Sequence, residues 1–478
     1  MLFHTTEFFV LLVVSLILYY LLPDRRIALL TVANGIFYGV NGLGFLALFL
    51  AVSSVTFACA LLMRGTYRAL FMSVSIGVNV LNLCFFKYSL FVLQNLERLL
   101  DVPLVKEHSL LSSIVLPVGI SFYTFELISY TVDVYKGKLA PSRNLLQFWI
   151  FVAFFAHLIA GPIMRGHEFL PQIDRLREIR WDAAAFRLGA FYLLLGLCKK
   201  IMLADYLTPQ VDGFFSATGA LTGSEGWVAA YLFAFQIYCD FSAYSDMAVG
   251  IAHLFGLRLM ANFMTPYLSA NATEFWRRWH ITLSSWIRDY IYIPLGGSRK
   301  GKWLRNVNLF AAMTISGLWH GAQWTFVAWG AYHGLLLILH KGYVSLKSRL
   351  GGASGALLDR NIIYRMLSVA VFFHLTCIGW VLFRAQSGLR EALKLIGRMV
   401  RPEAFLFPPE LAPYLWAVAG LFALHVSEFL LMKHLDAVSR AWHRHVPAPV
   451  RAAVYVLVVV SVSVFTAGEH NAFIYFQF

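Results

Sequence analysis

Charge is scarce in this chain. Only 13% of its 478 residues are Asp, Glu, Lys or Arg, while 59% are hydrophobic, about half the charged fraction of an ordinary soluble domain. So little charge excludes a soluble globular enzyme. The five cysteines, Cys59, Cys84, Cys198, Cys239 and Cys377, stand singly in apolar sequence with no paired spacing. Neither a disulfide framework nor a zinc ribbon is expected, and packing into the core is. Among fifteen histidines the close pair is His443/His445, in basic sequence. Convergent imidazoles of the kind a membrane di-iron oxidase needs are therefore lacking, and no metal is expected. A G-x-S-x-G nucleophile elbow and a G-x-x-x-x-G-K-[ST] phosphate loop are both missing, which removes support for esterase and ATPase readings. Internal repeats, low-complexity segments and Pro/Ser linkers are absent too, so a single domain over residues 1–478 is expected.

Long apolar runs fill the space, among them Phe8–Leu22, Phe45–Met63, Ala69–Phe86, Phe148–Gly161, Ser368–Leu382 and Leu415–Met432. Every backbone polar group must be satisfied in lipid, and the runs show no ten-residue alternation, so helices and not a barrel are expected to span. The expectation is an all-α polytopic membrane protein with about ten to thirteen helices. Several runs are shorter than the roughly 20 residues of a perpendicular span, so some must tilt or re-enter. Glu7 before the first run, Arg25-Arg26 after it and the lack of a small-residue cleavage site read as a retained anchor. The net charge of +14 lies in short clusters between runs, which fits topology and anionic lipid headgroups better than nucleic acid.

The positive-inside rule puts the Arg25-Arg26 and Arg64/Arg68 loops in the cytoplasm and the amino terminus outside. Continuing the count, Glu97–His108 falls outside and Lys136–Arg143 inside. The basic stretch Arg165–Arg187 would then fall outside, against the rule. A re-entrant Phe148–Pro162, turning at Gly161-Pro162, removes the conflict, provided that protein or a cavity covers its irregular backbone.

Two histidines lie in tryptophan-rich sequence: Phe275-Trp276-Arg277-Arg278-Trp279-His280 and Ser316-Gly317-Leu318-Trp319-His320-Gly321. Ionisable groups at membrane depth are costly and tend to be functional. A neutral His320, walled by Trp319, Trp324 and Trp329 and flanked by two glycines that permit close approach of neighbouring backbone or of substrate, could act as a general base. The alternative is a packing histidine bonded between helices. The spacing from Thr273 to Leu295 predicts one amphipathic helix at the membrane surface, with Trp276, His280, Leu283 and Ile287 inward and Arg277, Arg278, Arg288 and Asp289 outward. Asp240 and Asp246 read as partners of arginines or as caps of a broken helix more readily than as catalytic acids. Glu126 and Asp133 allow the same two readings.

Trp276–His280, Arg288–Gly297 and Gly317–Gly321 together resemble the membrane-bound O-acyltransferase (MBOAT) family, and within it the bacterial branch that O-acetylates alginate. Leu116–Gly137, Ile159–Arg165, Asp240–Gly250 and Phe473–Phe478 agree, so the likeness runs nearly end to end. The resemblance implies a ring of tilted helices with re-entrant segments around a thin core, His320 as the essential histidine and His280 as a second one. It implies acetyl-CoA as donor substrate with no permanently bound cofactor, residence in the bacterial inner membrane, and a periplasmic acetyltransferase partner that modifies an exopolysaccharide, the polysaccharide itself being met only indirectly. Trp276, Trp319 and Asn308 are candidate substrate contacts, Asn306, Asn308 and amides near Gly317 candidate oxyanion donors, and Arg299 and Lys300 candidate partners for coenzyme A phosphates. A transporter of an acyl carrier or polysaccharide unit, or a scaffold for a soluble acetyltransferase, are the competing readings. The first would show repeated broken helices, and the second would tolerate loss of both histidines.

Overall fold

The computed structural model describes residues 3–102, 115–350, 361–385, 387–466 and 473. Residues 474–478 of the motif at the carboxyl end, and the Glu97–His108 stretch from 103 onward, lie outside the described residues. Among the described residues every regular element is a helix. By length and composition, four helical stretches can cross a bilayer: Leu43–Leu62, Gly65–Leu100, Ile362–Arg384 and Pro409–Lys433, with half or less of each apolar window buried inside the protein. Lipid is the solvent that the remaining apolar surface requires. The pair Thr6–Leu21 and Pro23–Gly39 adds a further candidate, bent by 117°. Other long helices, such as Gly223–Leu254 and Gly301–His320, carry polar side chains and are not marked by apolarity alone.

The chain divides into two compact units, Met1–Gly196 with Tyr244–Ala261, and Leu197–Ala243 with Asn262–Phe478. The first contains α1 (Thr6–Leu21), α2 (Arg26–Gly39), α3 (Leu43–Leu62), α4 (Arg68–Leu100), α5 (Ile120–Tyr135), α6 (Leu145–Ala153), α7 (Gly166–Asp174) and most of α8 (Ala183–Leu197). Helix α6 has nine residues, a rise of roughly 14 Å, too little for a hydrocarbon core of about 30 Å. The chain then runs irregularly through residues 154–165, and Phe154, Phe155, Leu158, Ala160 and Ile163 are all buried. Side chains satisfy this backbone where no helix can: Phe155 N donates to Asn34 Oδ1 at 3.0 Å, and Met164 N donates to Glu126 Oε1 at 3.0 Å. His157 Nε2 lies 3.3 Å from the same Glu126 oxygen. Protein therefore covers the irregular segment, as a re-entrant reading demands. Glu126 holds backbone here, and Asp133 meets His167 at 3.0 Å and Lys138 at 3.7 Å.

Arg26 bears on the conflict over charge. Its buried guanidinium donates to Tyr19 O at 2.9 Å and to Leu176 O and Ile179 O, both at 2.7 Å. The Arg25-Arg26 bend and the basic Arg175–Arg180 turn thus lie side by side, and the positive-inside rule asks that two such basic loops share one face of the membrane.

The second unit holds α9 (Asp205–Ser216), the first part of α10 (Gly223–Leu254), α11 (Ala272–Trp276), α12 (Ile281–Ile287), α13 (Gly301–His320), α14 (Trp324–Leu350), α15 (Ile362–Arg384), α16 (Leu389–Met399), α17 (Ala412–Lys433), α18 (Leu435–His445) and α19 (Ala448–Thr466). Helix α10 is continuous through Asp240, so this carboxylate does not cap a break. Among the described residues its ion-pair partner is a lysine: Lys200 Nζ, in the π-helical segment Cys198–Ala204, lies 2.8 Å from both Asp240 and Asp205. Core packing describes Cys59, Cys239 and Cys377, but Cys84 is exposed and Cys198 half-buried.

Candidate functional site

The surface helix expected over Thr273–Leu295 does not form as one piece. Helix α11 stops at Trp276, the chain turns, and His280 takes a left-handed conformation with φ 42° before α12 begins. A passing segment competes for the backbone: Met264 N donates to Arg278 O and Ile281 N to Asn262 O, each at 2.9 Å. The Asn262 side chain completes the break. Its Oδ1 accepts from Thr282 N at 3.2 Å and Thr282 Oγ1 at 2.9 Å, and lies 3.1 Å from His280 Nδ1. The apolar side of the segment is buried, with Phe275, Trp279, Leu283 and Trp286 all under 4% exposed. Arg277 and Arg288 do remain outward, as their spacing predicts.

One proton assignment follows. Because Thr282 N–H can only donate, the Asn262 atom facing it is the oxygen, and His280 must offer that oxygen its Nδ1–H. In the neutral ring, Nε2 is then left with its lone pair. His280 is fully buried, and this nitrogen has no hydrogen-bond partner among the described residues.

Helices α13 and α14 place His320. Gly317 and Gly330 touch directly: a Cβ on Gly317 would collide with the Phe326 carbonyl and come within 2.9 Å of the Gly330 backbone. Gly321 lies against the Phe326 ring. The two glycines near His320 therefore serve close helix packing, with protein backbone and a ring in the space a Cβ would take. His320, the last residue of α13, is 4% exposed among aromatic rings. The centroids of Trp329, Trp319 and Phe383 lie 4.9, 5.0 and 5.4 Å from its own. Trp319 also meets the His280 ring at 6.2 Å, so one indole is shared by both histidines. Trp324 is 51% exposed, and among the described residues the third ring against His320 is Phe383 from α15.

Trp276 sits one ring further out, 5.8 Å from Trp329 and 5.2 Å from His333. His333, on α14, is fully buried 4.9 Å from Trp329, and neither ring nitrogen has a partner among the described residues. Room for it comes from Gly379, where a Cβ would stand 2.9 Å from its Nε2. Asn308 is buried and donates to Gly297 O at 3.2 Å, fixing the turn before α13. Twelve helical residues, roughly 18 Å, separate it from His320, so Asn308 and its neighbour Asn306 are too distant to bond an oxyanion formed there. Arg299 and Lys300 are exposed at the opposite end of α13, whose 20 residues span about 30 Å. The sequence reading overlooked Asn262, His333 and Phe383. Asn262 and Phe383 stand in no local pattern, whereas His333, in Gly330-Ala331-Tyr332-His333-Gly334, repeats the aromatic–His–Gly signal of Trp319-His320-Gly321.

Residues 139–350, which include both histidine motifs, match the model of the MBOAT, membrane-bound O-acyltransferase family. A probable alginate O-acetylase AlgI of Pseudomonas putida is 40% identical over 409 residues, covering 84% of this chain and 80% of the relative. The chain belongs to the membrane-bound O-acyltransferase family. It is an O-acyltransferase embedded in the membrane by several passes. Within this family it is also similar to a peptidoglycan O-acetyltransferase of Helicobacter pylori, at 33% identity over 399 residues (78% of this chain, 73% of the relative). A teichoic acid D-alanyltransferase of Bacillus subtilis is 25% identical over 286 residues, covering 58% of this chain and 69% of the relative.

Proposed function

We propose that this acyltransferase takes an acetyl group from acetyl-CoA on the cytoplasmic side of the inner membrane and passes it outward for O-acetylation of an exopolysaccharide such as alginate. A periplasmic acetyltransferase partner would make the final transfer. The observation that carries this reading is the pairing of His320 and His280 on either side of Trp319, inside an aromatic enclosure, in a chain similar to alginate O-acetylases.

In this mechanism His320 removes the proton from the accepting hydroxyl as its oxygen attacks the thioester carbonyl carbon. When the C–S bond breaks, the imidazolium returns that proton to the departing thiolate, so the acetyl ester and free coenzyme A form and the ring ends neutral. His280, held by Asn262 with its Nε2 lone pair available, orients a hydroxyl by accepting a hydrogen bond. Trp276, Trp319 and Trp329 exclude water that would hydrolyse the thioester. The exposed Arg299 and Lys300 attract the coenzyme A phosphates from the far end of α13, with the rest of the donor extending along that helix.

Labelled acetyl-CoA offered to membranes containing the protein, its partner and the polysaccharide tests the reading. H320A should lower acetyl transfer by at least about a hundredfold, the scale of a lost general base, while the protein still inserts and accumulates. Undiminished transfer by H320A would reject the assignment, and translocation of label with the thioester intact would favour a transporter.

A further inference from the structure

An open cleft of about 640 Å³ lies in the first unit, lined by Tyr20, Arg26, Arg177, Glu178, Arg180 and Trp181 among others. Its volume is in the range of small-molecule sites. Three arginines face one carboxylate across this lining, so an anion is the complementary occupant. Arg26 is not available to it, being buried and committed to three carbonyls. Arg177 and Arg180 are exposed and form no ion pair among the described residues.

What distinguishes these two from ordinary surface arginines is how the backbone beneath them is fixed. The carbonyls that Arg26 holds belong to Leu176 and Ile179, the residues immediately before Arg177 and Arg180. Both guanidiniums therefore spring from anchored points. The aromatic wall is fixed as well: Tyr20 OH donates to Leu254 O at 2.8 Å, Trp181 meets the Tyr20 ring edge-on at 5.2 Å, and Phe186 backs the indole at 4.5 Å. Trp181 nevertheless stays 54% exposed, which leaves indole surface open beside the arginines. Asp182, next in sequence, is engaged in accepting from Ala184 N at 2.9 Å. A planar guanidinium fork matches phosphate oxygens two at a time, and prior anchoring lowers the entropy lost on binding.

We propose that this cleft binds a phosphate ester, with Arg177 and Arg180 on the phosphate oxygens and Trp181 covering the attached organic group. The site stands independently of the chemistry assigned to His320. A phosphate ester reaches it either as the headgroup of an anionic phospholipid or as a soluble nucleotide-like molecule.

The test uses the full chain purified in detergent and carrying R299Q/K300Q throughout, so that the donor site assigned above does not contribute, with two probes: phosphatidylglycerol in mixed micelles, its retention read by native mass spectrometry, and coenzyme A, read by equilibrium binding. R177Q/R180Q is compared with R440Q/R444Q, which removes equal charge from exposed arginines of helix α18. R177Q/R180Q should weaken binding of one probe by roughly tenfold or more, the scale of lost charge-assisted hydrogen bonds, while R440Q/R444Q leaves it unchanged. Loss in the phosphatidylglycerol arm identifies a lipid headgroup as the ligand, and loss in the coenzyme A arm identifies a soluble one. R177K/R180K, which keeps the charge and loses the fork, should bind at an intermediate level and covers the case in which the glutamine variant misfolds. Equal binding of both probes by the R299Q/K300Q parent and R177Q/R180Q overturns the proposal, and so does an equal loss in R440Q/R444Q.

Discussion

A single oxygen decides how His280 presents itself. Asn262 Oδ1 gathers Thr282 N, Thr282 Oγ1 and His280 Nδ1, and the imidazole has no freedom to exchange its two nitrogens while that oxygen is in place. N262A should therefore change chemistry as well as stability. Loss of the shared acceptor from a buried site is expected to cost about 1–3 kcal/mol in thermal unfolding. If His280 works through Nε2, acyl transfer should fall roughly tenfold or more with an altered pH profile, because the other tautomer becomes accessible. A lower melting temperature with an unchanged pH profile would leave Asn262 a packing role alone. At this scale the two tryptophan–histidine motifs were legible in the amino-acid order, because an imidazole in apolar sequence stands out by its desolvation cost. Asn262 was not, since a lone asparagine between apolar residues carries no sign of which ring it will meet.

Among the elements, the pairing of α13 with α14 matters most for the candidate site. Gly317 and Gly330 let two backbones touch, and that contact sets where His320, at the end of α13, projects. G317V is expected to destabilise the protein by about 1–3 kcal/mol or more, through overpacking against backbone that cannot yield as a side chain would. It should also lower acyl transfer by displacing His320, whereas G342A, on α14 where a Cβ meets nothing within 4 Å, should leave melting temperature and transfer nearly unchanged. A G317V protein as stable as wild type would show that the contact is dispensable. Helical periodicity foresaw an amphipathic pattern from Thr273 onward, and Arg277 and Arg288 do face outward. It could not foresee the break at His280, because a pattern along one segment contains nothing of the irregular Asn262–Met264 stretch that captures its backbone bonds.

For the whole molecule, composition announced a helical membrane protein, and the charge count exposed its own inconsistency at Arg165–Arg187. The Arg26 bonds to Leu176 and Ile179 give that inconsistency a testable resolution. Single cysteines placed at positions 25 and 180 in a cysteine-free background should be labelled by an impermeant maleimide from the same face of intact membranes. Labelling from opposite faces would contradict a shared face for the two loops. The wall around His320 extends the same lesson. Trp319 and Trp329 were expected there and are present, whereas Trp324 is half exposed and Phe383 arrives from a helix far along the chain.

The sequence alone determined that lipid would be the solvent, that helices would be the elements, and that His280 and His320 would carry the strongest signal. Each of these depends on local composition and on the cost of burying polar groups. Tertiary structure decided which side chains satisfy the irregular backbone at residues 154–165, why the chain breaks at His280, and which rings enclose His320. These depend on contacts between segments distant in sequence, where a side chain's partner is set by packing and by competition for hydrogen bonds.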